Sequence, residues 1–138
     1  DAVVIRQYLG GITGGRALDY ANFKDEVIQA GHIIVRKKVD DVYEYSPLET
    51  EDGKYKDKAS EAEFAGVVVR SRMKGEAVAI MDNGRVNDVA MPYQFKDETQ
   101  RTAIKTALPS LSCALVFNLK DCLYERITFY SVYPSYFP

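Results

Sequence analysis

The sequence predicts a small, mainly β protein, a β-barrel or sandwich of antiparallel hairpins, with one short α-helix near residues 97–108. Three observations predict this fold class. Short runs rich in β-branched residues recur about every ten residues along the chain. Turn signals made of Gly, Asp, Asn and Pro separate these runs. Only one segment has apolar residues at helical spacing, and a proline limits it to about three turns.

The N-terminal region combines a β-favouring run, Val3-Val4-Ile5, with four glycines in the six residues from Gly10 to Gly15. Glycine weakens helices and strands because it loses the most backbone freedom on folding. The glycine run therefore predicts a flexible joint, and residues 1–15 are interpreted as an N-terminal arm with its joint. Residues 16–117 then form the β domain, and residues 118–138 form a C-terminal aromatic extension.

Two tight turns are predicted within the β domain. The first is Asp40-Asp41, between a strand over residues 32–37 and a returning strand over residues 42–45. The second is Asn83-Gly84, a pair that favours the positive φ angles of a two-residue hairpin. It gives a predicted three-stranded meander over residues 66–90, whose first strand is a continuous apolar run typical of burial on both faces.

The single helix is predicted from its first turn. Asp97 has the side chain of an N-cap, and Gln100 follows three residues later, as in a capping box. Pro109 limits the length of the helix. The apolar positions that recur at helical spacing are Ile104, Ala107, Leu108 and Leu111.

Composition excludes several classes of protein. Apolar residues make up 46 % of the chain and charged residues 28 %, which is typical of a globular domain. The net charge of −2 lacks the basic surplus of a nucleic-acid-binding face, and no apolar run approaches the ~20 residues of a membrane span. We therefore expect no nucleic-acid or membrane partner. Two cysteines, Cys113 and Cys122, are too few for a disulfide framework, and whether they pair stays open.

The sequence offers no convincing catalytic or metal site. The segment from Gly10 to Arg16 spaces two glycines as a P-loop does, but it lacks the lysine and the hydroxyl that hold phosphate and magnesium. His32, the one histidine, needs a nucleophile and an orienting acid to act as a base, and nothing selects them, so a structural or surface role is favoured. Asp82-Asn83-Gly84 resembles only a fragment of a calcium loop. We expect no catalytic residue, no metal and no cofactor.

Aromatic side chains are concentrated at the C-terminal end of the chain. Tyrosine favours interfaces because its ring buries area while its hydroxyl stays hydrated. Two interpretations stay open: a subunit or partner interface, and a last strand that packs on the β domain. The candidate interface residues are Tyr124, Phe129, Tyr130, Tyr133, Tyr136 and Phe137.

Several motifs occur in a characteristic order between residues 27 and 117. They are Ala30-Gly31-His32-Ile33-Ile34-Val35, Tyr45-Ser46-Pro47-Leu48, Ala65-Gly66-Val67-Val68-Val69, Ala77-Val78-Ala79-Ile80-Met81, Gly84-Arg85-Val86-Asn87, Ala90-Met91-Pro92-Tyr93, Asp97-Glu98-Thr99-Gln100-Arg101-Thr102-Ala103 and Leu115-Val116-Phe117. In this order they resemble the head decoration proteins of lambda-like tailed phages. Two features differ from that family: Met91 stands where a tryptophan is often found, and residues 118–138 extend past its usual end.

The resemblance implies a non-enzymatic cement protein that binds the outer surface of the expanded head as a homotrimer and stabilises it. Its partners would be the major capsid protein and itself, and its location the virion surface, after synthesis in the host cytoplasm. In that family an N-terminal arm reaches onto the major capsid protein. The residues in the corresponding place are Val3, Val4, Ile5, Arg6, Tyr8 and Leu9.

Two further function classes stay open. One is another phage structural protein of similar fold, such as the base of a head fibre or a tail component. The other is a small ligand-binding or hydrolytic barrel, which would need a deep pocket lined by His32 and a carboxylate.

Overall fold

The structure is a computed structural model, and it describes residues 3–113 of the chain. The six aromatic interface candidates and Cys122 lie outside these residues, and the side chain of Cys113 is not described. Both the aromatic interface and the pairing of the two cysteines therefore stay predictions.

The described residues form ten strands and one α-helix. In chain order they are β1 (Ile5–Arg16), β2 (Val27–Ile28), β3 (Ile33–Val39), β4 (Val42–Pro47), β5 (Thr50–Glu51), β6 (Lys54–Tyr55), β7 (Glu63–Val68), β8 (Arg72–Met73), β9 (Val78–Val86), α1 (Glu98–Ala107) and β10 (Leu111–Cys113), with a short 3-10 turn at Asp88–Ala90 before α1. The main sheet has the order β1-β9-β7-β3-β4, with all neighbours antiparallel. β10 joins β9 in parallel, and β2–β8 and β5–β6 form two small ladders. The prediction of a mainly β fold with one short helix is confirmed.

The main sheet curls on itself but is not closed into a barrel. Its edge strands, β1 and β4, do not pair along their length. Leu18, two residues after the end of β1, forms an isolated parallel bridge with Tyr45 of β4. Two residues span at most about 7 Å, so the two edges of the sheet approach each other at this end. The Arg16 guanidinium lies 5.6 Å from the centre of the Tyr45 ring at the same place.

Successive side chains of a strand point to opposite sides of the sheet, so each strand contributes to both faces. Both faces of the main sheet are buried. One face is covered by α1, Tyr55 and Met91. The other face lies inside the curl, because its cluster contains residues from both edges of the sheet. The prediction that the first strand of the meander is buried on both faces is confirmed for β7. The cluster inside the curl comprises Leu18, Ile28, Ile34, Tyr45, Ala65, Val68, Val78 and Ile80.

The hairpin of β3 and β4 is confirmed, and its turn follows the expected chemistry. Asp40 and Asp41 both have positive φ, 49° and 64°, as a two-residue hairpin turn requires. The second predicted turn, Asn83-Gly84, is wrong, because both residues lie inside the continuous strand β9. The glycine is needed there for a different reason. A Cβ on Gly84 would lie closer than 3.0 Å to the carbonyl oxygen of Gln7 on β1.

The glycine run is also not a joint. β1 continues through all four glycines to Arg16, and the predicted boundary after residue 15 falls one residue before its end. Gly11 pairs with Met81 on β9, and a Cβ on Gly11 would lie closer than 3.0 Å to the Ile80 backbone. Gly11 therefore lets the two strands approach closely. The prediction was wrong because it considered only the conformational entropy that glycine loses on folding. It did not include the pairing with β9, which stabilises the strand.

The helix is confirmed together with its cap. The Asp97 side chain accepts a 2.8 Å hydrogen bond from the Gln100 backbone N–H. The Gln100 side chain accepts in turn from the Lys96 N–H at 2.8 Å, and its amide donates to the Lys56 carbonyl at 2.9 Å. Gln100 is buried, so it fastens the start of α1 to the polar segment after β6.

Candidate functional site

The residues interpreted as an arm begin the edge strand β1 instead of forming a separate extension. Ile5 pairs with Val86 of β9, and the Val4 carbonyl accepts a 2.8 Å hydrogen bond from the Asn87 N–H. Of the β-favouring run, only Ile5 lies in the strand, which begins there, and the partner strand belongs to the same chain. The expectation of a separate arm on a flexible joint is wrong for the described part of this segment, residues 3–9.

The arm residues divide into two groups by the direction of their side chains. Val4 and Ile5 are half-buried and pack against the core, with Val4 placed over Gly31. Val3, Arg6, Tyr8 and Leu9 are exposed to solvent. The first group holds the strand on the body, and the second forms a surface along one edge of the sheet. We call these four exposed residues the β1 surface.

The backbone of β1 is irregular where the β1 surface lies. Its register against β9 shifts at Arg6 and again at Leu9, where β1 has one residue more than β9. Such β-bulges twist an edge strand and interrupt the regular spacing of its hydrogen-bonding groups. The β1 surface is therefore suited to contacts through side chains more than to the addition of a further strand. Its tyrosine and its arginine belong to the residue types that are enriched among those contributing most to protein–protein binding.

The opposite edge of the sheet carries a second exposed apolar group, at the tip of the β3–β4 hairpin. Val42 and Tyr43 are exposed there. The Tyr43 ring lies 4.6 Å from the guanidinium carbon of Arg36, and Arg36 forms a 2.8 Å ion pair with Glu63. Tyr43 is thus already packed against a neighbour in its own chain. This makes the hairpin tip a less available contact surface than β1.

His32 is a core residue, as its favoured interpretation allows. Its side chain is 1 % exposed, and its Nε2 lies 3.1 Å from the Leu48 carbonyl oxygen, to which it donates as a neutral ring. Burial lowers the pKa of His32 to about 4, although the Leu48 carbonyl and, more weakly, the Asp25 carboxylate act in the opposite direction. A neutral, enclosed imidazole with one nitrogen already bonded cannot reach a substrate unless the core opens.

The surroundings of His32 were not predicted from the sequence. Its ring makes edge-to-face contacts with three aromatic rings, at centroid distances of 5.6 Å to Phe23, 5.4 Å to Tyr55 and 5.6 Å to Tyr93. The Tyr93 hydroxyl donates a short hydrogen bond to the Asp25 carboxylate, and this bond is the largest cause of the raised pKa of Tyr93. These rings come from three segments that are far apart in the chain, so no local pattern indicates that they meet.

The most enclosed of the described cavities has a volume of about 360 Å³. It lies between the loop after Leu18, the end of β4 and the loop before β7. Two of its charged residues already have partners, since Lys37 pairs with Glu61 at 3.3 Å and Asp57 with Lys96 at 2.9 Å. Its hydroxyl group, on Ser46, has no imidazole among the lining residues. The lining residues therefore provide no pair of a hydroxyl nucleophile and an imidazole base.

Two other classes of site were searched for in residues 3–113. Within that range, no three His, Cys, Asp or Glu side chains are grouped so that they could hold a metal ion. No helix in the same range is long and apolar enough to cross a membrane. The segment compared with a P-loop is part of the edge strand β1 and does not precede a helix, so it provides no phosphate-binding turn.

Comparison with protein-family models, with curated proteins and with solved structures gives no match to this chain.

Proposed function

We propose that this chain is a non-enzymatic decoration protein of a tailed-phage head. It binds the outer surface of the expanded capsid as a homotrimer and stabilises it. Its partners are the major capsid protein and two further copies of itself, with no role for nucleic acid or membrane. The protein is made in the host cytoplasm and resides on the virion. The proposal rests first on the ordered motifs of residues 27–117 and on the mainly β fold that accompanies them.

The observation that carries the proposal is the construction of the β1 surface. Backbone pairing to β9 fixes the strand, while Tyr8 and Leu9 remain exposed along the edge of the sheet. A surface that is ordered before binding loses little conformational entropy when the partner arrives. Exposed aromatic and aliphatic side chains on a fixed edge are typical of a protein that works by attachment.

The residues divide into roles accordingly. Val3, Arg6, Tyr8 and Leu9 contact the major capsid protein, while Val4 and Ile5 position the strand. The aromatic residues of the C-terminal extension form a subunit or partner interface. A trimer presents three β1 surfaces to the capsid at once, so individually weak contacts add up to strong attachment.

The position of His32 supports a non-enzymatic role. A hydrolytic barrel would need this imidazole at an open pocket beside a carboxylate. The ring is instead enclosed by aromatic side chains, with Nε2 bonded to the Leu48 carbonyl. Its geometry is that of a core residue.

The decisive experiment uses expanded heads prepared without the protein. Purified protein is added, bound protein is measured by co-sedimentation, and head integrity is followed during heating. We expect saturable binding and a higher temperature of head disruption. Leu9→Asp should abolish binding, whereas Val42→Asp, at an equally exposed valine on the hairpin tip, should bind normally. Normal binding by Leu9→Asp would contradict the assignment of the β1 surface.

A second experiment tests the trimer. Light scattering across a range of concentrations should give a molar mass near three times 15.5 kDa, either in solution or after release from heads. If heads are not stabilised and the protein sediments with tails instead, the decoration role is wrong. That outcome would favour the alternative of a tail component.

A further inference from the structure

The Asn83-Gly84 pair is chemically labile in a flexible chain. The backbone nitrogen after an asparagine attacks the side-chain carbon Cγ, the bond from Cγ to Nδ2 breaks, and ammonia leaves with the backbone amide proton. Glycine in the second position leaves this nitrogen without the steric cover of a side chain. Water then opens the resulting succinimide ring at either carbonyl. The asparagine becomes aspartate or isoaspartate.

The fold holds Asn83 in a conformation that opposes this ring closure. Its side chain is exposed, so solvent reaches the amide, but its backbone lies within the extended strand β9 and pairs with Gly10 of β1. Closing the ring brings Cγ to the Gly84 nitrogen, which requires the Asn83 backbone to rotate out of the extended conformation. Pairing with a neighbouring strand resists that rotation until the strand opens locally.

The attacking nitrogen is itself held by a hydrogen bond. The Gly84 N–H donates to the Ser110 carbonyl at 3.1 Å, immediately before β10, and Leu111 of β10 lies opposite Gly84. A bonded amide proton is not available to the solvent base that must remove it. β10 has only three residues, whereas β1 has twelve, so the contact with β10 is the one that opens at the lower cost.

We propose that Asn83 is a deamidation site that the contact between the Gly84 N–H and Ser110 protects, and that the site reacts when β10 opens locally from β9. The reaction needs water and no other reagent. Aspartate adds a negative charge beside Asp82. Isoaspartate adds one carbon atom to the main chain of β9, so the pairing with Gly10 loses its register. This inference does not depend on capsid binding, and its test uses the isolated protein.

The first measurement compares the folded and the unfolded chain. The full chain is incubated in mildly alkaline buffer, with and without guanidinium chloride, then digested and analysed by mass spectrometry that distinguishes isoaspartate. We expect Asn83 to convert roughly tenfold or more faster in the denaturant, because unfolding removes the strand pairing. Asn22, which Phe23 follows, is the internal control and should convert slowly in both states.

The second measurement separates local opening from global unfolding. Leu111 on β10 and Leu48, which follows β4, are both 3 % exposed, so alanine removes a similar buried contact from each. Both variants are incubated in native buffer, and their free energies of unfolding are measured in parallel. Leu111→Ala should accelerate conversion of Asn83 roughly tenfold, and Leu48→Ala far less. If either variant does not fold, Leu111→Val and Leu48→Val make the same comparison.

Three outcomes would overturn the proposal. Equal rates in native buffer and in denaturant would mean that the fold does not protect Asn83. No conversion in denaturant would mean that the pair is not labile in this chain. Acceleration by both leucine variants in proportion to their loss of stability would mean that the reaction requires global unfolding and not the opening of β10. None of these results bears on head binding, so the proposed function stands or falls separately.

Discussion

Gly84 and Gln7 face each other across the β9–β1 pair so closely that a side chain on Gly84 has no room. A Cβ there would lie closer than 3.0 Å to the Gln7 carbonyl oxygen, which belongs to the backbone and cannot turn away. Gly84 also has a φ of 151°, in the region that favours glycine. The sequence analysis interpreted Gly84 as a turn residue, but this glycine is required by the close contact between β9 and β1.

Replacing Gly84 with alanine should therefore destabilise the protein by about 2–4 kcal/mol, because β1 must move away from β9. Urea unfolding measures this change. Gly75→Ala is the matched control, since Gly75 also has a positive φ, 95°, but has nothing within 4 Å of its Cβ position. The control should lose about 1 kcal/mol. Equal losses would show that backbone conformation, and not the contact with Gln7, accounts for the glycine.

The buried His32 makes stability depend on pH. Its pKa in the folded protein is about 4, below the ordinary value of 6.5, so the unfolded chain binds the proton more readily between these values. The stability that depends on a neutral His32 is fully present above pH 6.5 and is lost as the pH falls towards 4. The loss amounts to about 3 kcal/mol. Unfolding free energies measured from pH 7 to pH 4 should show this decline, and His32→Gln should remove most of it. An unchanged slope in the variant would assign the decline to other groups.

Replacing Gln100 should lower the free energy of unfolding more than its position on a helix indicates. Gln100→Ala leaves the Lys96 N–H and the Lys56 carbonyl without their partner. We expect a loss of about 2–3 kcal/mol, the cost of breaking hydrogen bonds at a buried site. Thr99→Ala, at the exposed neighbouring position, should change the free energy of unfolding by less than about 0.5 kcal/mol. Similar effects at both positions would mean that water replaces the Gln100 bonds.

Two leucines near the edges of the sheet should separate stability from binding. Leu18 is buried where the two edges meet, whereas Leu9 is 59 % exposed on the β1 surface. Leu18→Ala should cost about 2–4 kcal/mol in the isolated protein. Leu9→Ala should leave stability within about 0.5 kcal/mol and weaken head binding. Loss of stability in Leu9→Ala, with binding intact, would place Leu9 in the fold and not in the contact surface.

The features predicted well from the sequence are those decided by neighbouring residues. The turn at Asp40-Asp41 and the Asp97 cap each depend on contacts within a few positions, so the residues themselves carry the signal. Two of the wrong predictions concern glycines. Gly11 and Gly84 are both explained by a partner strand about 70 residues away in the chain, which no local rule contains.

The candidate site, too, could be predicted only where neighbouring residues decide the structure. The sequence shows a β-favouring run at residues 3–5, but the division of the arm residues into inward Val4 and outward Tyr8 depends on the pairing with β9. The aromatic rings around His32 come from separate segments of the chain that meet only in the folded protein. Periodicity within one segment cannot show such a meeting.

Because β1 pairs with β9, the first strand has no partner strand during most of the synthesis of residues 3–86. Ile5 and Val86 are about 80 residues apart, so the first strand leaves the ribosome several seconds before its partner, at roughly 5–20 residues per second. An unpaired β-prone strand is then an aggregation hazard on the polysome, and frequent glycine lowers the tendency of such a segment to form cross-β structure. We expect the glycines of residues 10–15 to lower this tendency during the interval in which β9 does not yet exist.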